Sequence, residues 1–102
     1  ETLGAMVKSG LEIVDATLPV EVTGVSGDVE VTVDALENNY VIHMLDYNVR
    51  NAKVTGAKLN VPGTRAIRRV FYPDTNTEVK LDGRRANLRD FAGYDMLVVE
   101  FE

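Results

Sequence analysis

The run from Asn39 to Tyr47, N-Y-V-I-H-M-L-D-Y, is the longest nearly uncharged stretch of the chain and is rich in β-branched and aromatic residues. Such a run reads as a central strand. Its apolar side chains occur at both parities, which predicts cover on both faces. Val41, His43, Leu45 and Tyr47 would point one way and Tyr40, Ile42 and Met44 the other. Immediately upstream, Asp28 to Leu36 alternates without a fault, with Val29, Val31, Val33 and Ala35 on one side and Glu30, Thr32 and Asp34 on the other. That is the pattern of a half-buried strand. Glu37-Asn38-Asn39 supplies a turn between the two, so they are expected to pair as a hairpin.

The rest of the chain is punctuated in the same way. Residues 1–10 show no periodicity and read as an incoming linker or tail. Leu11 to Val14 and Leu18 to Val22 are short β-prone pieces, and Gly24 to Asp28 is a turn. Ala52 to Val61 reads as a strand whose apolar parity shifts across Thr55-Gly56, as a β-bulge or bend at Gly56 would produce. Val61-Pro62-Gly63-Thr64 has the residue order of a type II turn. A strand from Ala66 to Tyr72 and a turn from Pro73 to Asn76 follow. Asp82-Gly83, flanked by Glu78 to Leu81 and Arg84 to Leu88, carries the strongest short hairpin signal in the sequence. The final strand, Tyr94 to Glu102, sets Leu97, Val99 and Phe101 against Val98, Glu100 and Glu102.

Short strands with evenly spaced turns, and no stretch with helical periodicity, specify an all-β fold: an immunoglobulin-like or Greek-key antiparallel β-sandwich of seven to nine short strands. It is expected to form one domain over residues 11–102. Val29, Val31, Val33, Ile42 or Val41, Leu45, Leu59, Val70, Leu97, Val99 and Phe101 are expected to supply its core.

At 102 residues the chain has room for one core but not for a separate active-site layer. It contains no cysteine and one histidine, which removes disulfides, thiolate chemistry and thiolate-bound metals. Neither a catalytic residue, a metal site nor a cofactor is expected. The absence of cysteine leaves the compartment open, since cytoplasmic and secreted or periplasmic settings both suit it. No apolar run approaches the ~18 to 20 residues of a spanning helix, so no membrane partner is expected.

The net charge of −5 hides an asymmetry. Residues 1–48 hold nine acids against Lys8, a net of −8, while residues 65–89 hold seven basic residues against Asp74, Glu78 and Asp82, a net of +4. The basic segment lacks interleaved stacking aromatics, so no nucleic-acid partner is expected. Its arginines have another use, because the planar guanidinium fork is favoured at protein interfaces. Arg68, Arg69 and Arg85 are the candidate interdomain contacts, with solvated cross-strand pairing as the structural alternative.

His43 lies in an apolar strand, where a lone histidine is more often a buried, hydrogen-bonded residue than a catalyst or ligand. Asp46 has the opposite parity, so the strand itself sets up no His–Asp pair. A carbohydrate-binding sandwich presents a planar stacking platform, and without tryptophan the candidates for glycan contact are Tyr72 and Tyr94.

The motif Val41-Ile42-His43-Met44-Leu45-Asp46-Tyr47 resembles the aliphatic-aliphatic-His-Leu-Leu-Asn-Tyr strand of the C-terminal β-sandwich domains appended to (β/α)8-barrel glycoside hydrolases, including β-galactosidase-like enzymes. Asp46 stands where that motif has Asn, and Met44 where it has Leu. The preceding alternating strand, the proline turn at Pro62 and the late strand Tyr94-Asp95-Met96-Leu97-Val98-Val99-Glu100 extend the likeness over residues 18–102. The resemblance implies a non-catalytic accessory domain of a larger, bacterial-type carbohydrate-active enzyme, whose partner is the catalytic barrel of the same polypeptide and whose catalytic carboxylates lie in that barrel. The alternative is an independent adhesion-type sandwich that binds a glycan or a protein.

Overall fold

A computed structural model describes residues 1–8, 18–47 and 53–102. Its nine strands are β1 (Thr2–Val7), β2 (Glu21–Thr23), β3 (Val29–Ala35), β4 (Asn39–Asp46), β5 (Lys58–Asn60), β6 (Ile67–Tyr72), β7 (Thr77–Val79), β8 (Arg85–Asn87) and β9 (Tyr94–Phe101). They form an antiparallel six-stranded sheet in the order β1-β3-β4-β9-β6-β7 and an antiparallel three-stranded sheet in the order β2-β5-β8. The fold is a β-sandwich.

One core joins the inner faces. Val29, Val31 and Val33 of β3, Ile42 and Met44 of β4, and Leu97 and Val99 of β9 are fully buried, and they share a cluster with Val22 of β2 and Leu59 of β5. The alternation in β3 and β9 fixes this register, because a slip of one residue would turn every valine to water. Phe101 and Tyr40 close one end edge to face, with ring centroids 4.8 Å apart.

The β3–β4 hairpin forms as expected, with Ala35 opposite Tyr40 and the Leu36 N–H donating to the Asn39 carbonyl at 2.9 Å. The parity shift at Gly56 is also present. Val54, Ala57 and Leu59 are buried while Thr55 and Gly56 are exposed. Gly56 has φ +74 and Gly24 has φ +69, and the two backbones meet so closely that a Cβ on Gly24 would lie 2.8 Å from the Gly56 carbonyl oxygen. Only glycine fits both demands there.

Several expectations are corrected. Thr2–Val7 is not a linker or tail but a strand paired with β3 along its whole length. Unpaired N–H and C=O groups at the edge of β3 attract a partner even where the partner lacks periodicity. The central strand is covered on one face only, and Leu45, placed in the core from sequence, is 40% exposed. At Asp82-Gly83 the tight turn exists, closed by Asp82 N–H to Arg85 C=O at 2.8 Å and Arg85 N–H to Asp82 C=O at 3.1 Å. The hairpin does not extend beyond it, because β7 pairs with β6 in the large sheet and β8 pairs with β5 in the small one. The β-prone piece Leu11 to Val14 lies outside the described residues.

Candidate functional site

The outer face of the six-stranded sheet is a grid set by register. One row runs Thr2, Asp34, Val41, Val98, Phe71, Glu78; a second runs Gly4, Thr32, His43, Met96; a third runs Met6, Glu30, Leu45, Tyr94. Val98 is held between Val41 and Phe71 and is 9% exposed although it faces away from the core. Leu45 and Tyr94, paired two rows away, stand open to water. A water-facing antiparallel sheet ordinarily carries polar side chains on this side. Here apolar side chains surround His43 in the middle of the face, and carboxylates and guanidinium groups lie toward its edges.

A hydrogen-bonded chain crosses this face. The Thr2 hydroxyl donates to Asp34 Oδ1 at 2.6 Å, His43 Nε2 lies 3.2 Å from Asp34 Oδ2, and His43 Nδ1 lies 2.5 Å from the Tyr94 hydroxyl. Asp34 and Tyr94 are each two residues from the position directly opposite His43, the diagonal reach expected of longer side chains. An ionised Asp34 only accepts, so Nε2 donates to it, and in a neutral imidazole Nδ1 accepts from the Tyr94 phenol. Hydrogen bonds from Thr2 first and from His43 second hold the Asp34 carboxyl below the usual carboxylate value. The order phenol, imidazole, carboxylate has the polarity of a general-base relay. Both ring nitrogens are bonded to side chains of the neighbouring strands. The chain braces β1, β3, β4 and β9 across the sheet.

His43 therefore differs from the buried histidine expected. Its side chain is 30% exposed and bonded at both nitrogens. Asp34 is the residue that sequence reasoning missed, and the alternation of β3, which already set it on the outer side, was the available signal. Tyr47 lies at the end of the same face, and its hydroxyl donates to Glu30 at 2.6 Å, which pushes the phenol pKa up.

Of the two tyrosines expected to meet a glycan, Tyr72 is buried. It is 5% exposed, its hydroxyl accepts the Arg89 backbone N–H at 2.8 Å, and its ring lies 3.8 Å beneath the Arg89 guanidinium. Tyr94 is 52% exposed. It borders a depression of about 160 Å³ lined also by Pro73, Asp74, Asp95 and Met96, less than the ~300 Å³ at which small-molecule sites begin.

The three arginines expected to act together are separated. Arg68 and Arg69 both reach Glu100 from β6, at 3.7 and 3.5 Å, because a register irregularity between Ile67 and Arg69 brings consecutive residues to one partner. Arg69 also lies 4.0 Å over the Phe71 ring, at the rim of the apolar rows. Arg85 belongs to the other sheet. There it helps line a groove of about 620 Å³ with Glu21, Thr23, Lys58, Asn60, Lys80, Asp82 and Asn87. Among the described residues no group of three or more His, Asp or Glu side chains converges as metal ligands would.

No protein-family model matches the chain, and no curated protein matches it. Among solved structures it is similar to alpha-L-fucosidase isoenzyme 2 from Paenibacillus thiaminolyticus, with a TM-score of 0.60 and 17% identity over 85% of this chain. The match spans 16% of that enzyme's chain. What the likeness shows is the fold: the β-sandwich described above also occurs as a minor portion of a much longer polypeptide.

Proposed function

We propose that the chain is a non-catalytic accessory β-sandwich domain of a larger carbohydrate-active enzyme, and that it packs against the catalytic barrel of that polypeptide through the outer face of its six-stranded sheet. The observation that carries this reading is the apolar surface of that face, where Val41, Leu45, Phe71, Met96 and Val98 surround His43, with Arg68 and Arg69 at the rim. An apolar patch rimmed by polar side chains is the surface of a domain that has a partner. The neighbouring fold, a small part of a fucosidase chain, supports a partner within the same polypeptide. Arg85 lies outside this contact. The His43 chain holds the four strands beneath it rigid.

The test compares Leu45→Glu/Met96→Glu in two settings, the isolated domain and the longer polypeptide that contains it. Surface changes of this kind are expected to move the stability of the isolated domain by no more than ~1 kcal/mol in total. Charges forced into a desolvated contact are expected to weaken domain association by ~2 kcal/mol or more, so the full-length protein loses thermal stability and is cleaved faster between domains. Equal shifts in both settings would show that this face meets only water.

A further inference from the structure

The outer face of the three-stranded sheet is built differently from that of its partner sheet. Its inward positions, Val22, Leu59 and Ala86, are buried. Its outward positions form two rows of register partners, Glu21–Asn60–Arg85 and Thr23–Lys58–Asn87. Every one of these six side chains is polar, and neither an aromatic nor an aliphatic residue stands in either row. The segment Lys80-Leu81-Asp82 walls one side and encloses the groove of about 620 Å³. That volume lies within the range of small-molecule sites, ~300 to 1,000 Å³.

Charge in the groove is arranged for an anion. Among the described residues, the side chains of Lys58, Lys80 and Arg85 have neither a hydrogen-bond nor an ion-pair partner. Of the acids that line the groove, Glu21 already accepts a hydrogen bond from the Asn60 amide at 3.1 Å. Glu21 and Asp82 together offset two of the three cations, so the groove keeps a net charge of +1 on a chain whose charge is −5. Arg85 is also preorganised. Its backbone is locked by the reciprocal Asp82–Arg85 hydrogen bonds. The adjacent Arg84 is turned inward onto the carbonyls of Val61 and Arg65, at 2.6 and 2.8 Å. Consecutive arginines thus divide the work, one fastening the turn and the other facing the groove.

We infer that this groove binds a short acidic oligosaccharide, its carboxylate or sulfate group held by Arg85 with Lys58 and Lys80, and its hydroxyls by Thr23, Asn60 and Asn87. A guanidinium fork fits a planar carboxylate or a sulfate edge. Primary amides and a hydroxyl offer both donors and acceptors at strand spacing, which matches a polyhydroxylated chain. With no ring on the face to stack against a sugar, charge and hydrogen bonds must carry the affinity, so the acidic group is required and a neutral sugar is not enough. The choice of a sugar as carrier rests on the carbohydrate-active reading above, whereas the anion preference rests on the groove alone.

The experiment titrates the isotope-labelled domain with trigalacturonic acid, with a chondroitin sulfate oligosaccharide, with neutral galactotriose and with sodium sulfate, following backbone amide shifts. Either acidic oligosaccharide is expected to move the amides of Lys58, Asn60, Arg85 and Asn87, and to bind more weakly as salt rises. Comparing the carboxylated with the sulfated probe identifies which anion the groove takes. Lys58→Gln and Arg85→Gln are each expected to lower affinity roughly tenfold, as the loss of one charge-assisted hydrogen bond implies. Arg68→Gln, on the other sheet, is expected to leave it unchanged. Galactotriose binding as well as the acids would overturn the inference, as would binding undiminished in the Arg85 variant or no shift with any probe. Sulfate binding as tightly as the oligosaccharides would overturn the sugar carrier. Acidic-sugar binding together with equal effects of Leu45→Glu/Met96→Glu in both settings would uphold this groove while removing the docking face.

Discussion

Arg89 joins more of the fold than any other charged residue described. Its guanidinium lies over Tyr72, its Nε and Nη2 donate to Asp95 at 3.0 and 2.8 Å, and Nη2 also reaches Asp74 at 2.9 Å. Asp95 is 6% exposed, so removal of Arg89 would strand a carboxylate in the interior. Arg89→Ala is expected to cost ~3 kcal/mol or more in urea unfolding. Arg68→Ala, which removes a surface pair to Glu100, is expected to cost at most ~1 kcal/mol. Asp34 gives a pH signature at the same scale. Its folded pKa lies below the ordinary value of 3.8, so its brace contributes in full above that value and is lost as pH falls through the depressed one. Thr2→Val removes the largest cause of the depression. It is expected to move the Asp34 titration, read from side-chain carbon shifts, back up toward 3.8.

At the scale of elements, loops decide which sheet each strand joins. The turn at Asp82-Gly83 has hairpin geometry, yet β7 and β8 diverge after a single bridge. β7 completes the large sheet beside β6, and β8 buries Ala86 from the small one, with Leu88 following just beyond its end. A second crossing point is the contact of Gly24 with Gly56, where the loops before β3 and β5 touch backbone to backbone. Gly24→Ala meets both a left-handed φ and a carbonyl 2.8 Å from the new Cβ. Gly83→Ala meets a φ of +62 in open space. The first is expected to lower stability by ~2 to 4 kcal/mol and the second by only ~1, measured as unfolding midpoints.

For the whole molecule, the two outer faces differ in kind. The large sheet offers apolar side chains around His43 and the small sheet a net positive groove, so a domain docked through the first would leave the second open to a ligand. The inner faces share the stability. Leu97, fully buried between the sheets, is expected to cost ~2 to 5 kcal/mol when truncated to Ala. Leu45→Ala is expected to cost ~1 kcal/mol or less in the isolated domain, although both leucines lie in central strands. Chemical denaturation of the two variants side by side checks this contrast.

Local pattern was enough for much of this protein. The valine alternation of β3, the turn at Glu37 to Asn39, the parity break at Gly56 and the strand at Tyr94 to Phe101 each express a two-residue period or a turn chemistry that operates within a few residues, so each was readable in one dimension. Tertiary structure alone decided whatever depends on a second chain segment. Thr2–Val7 has no period of its own and becomes a strand because the edge of β3 needs a partner. Leu45 is as apolar as Leu97, but no layer covers its side of β4. His43 finds Asp34 and Tyr94 on neighbouring strands. Arg68 and Arg85 are parted because the chain between them changes sheets. Parity tells which residues share a side of a strand; which side is buried, and what stands across it, is set only when the sheets meet.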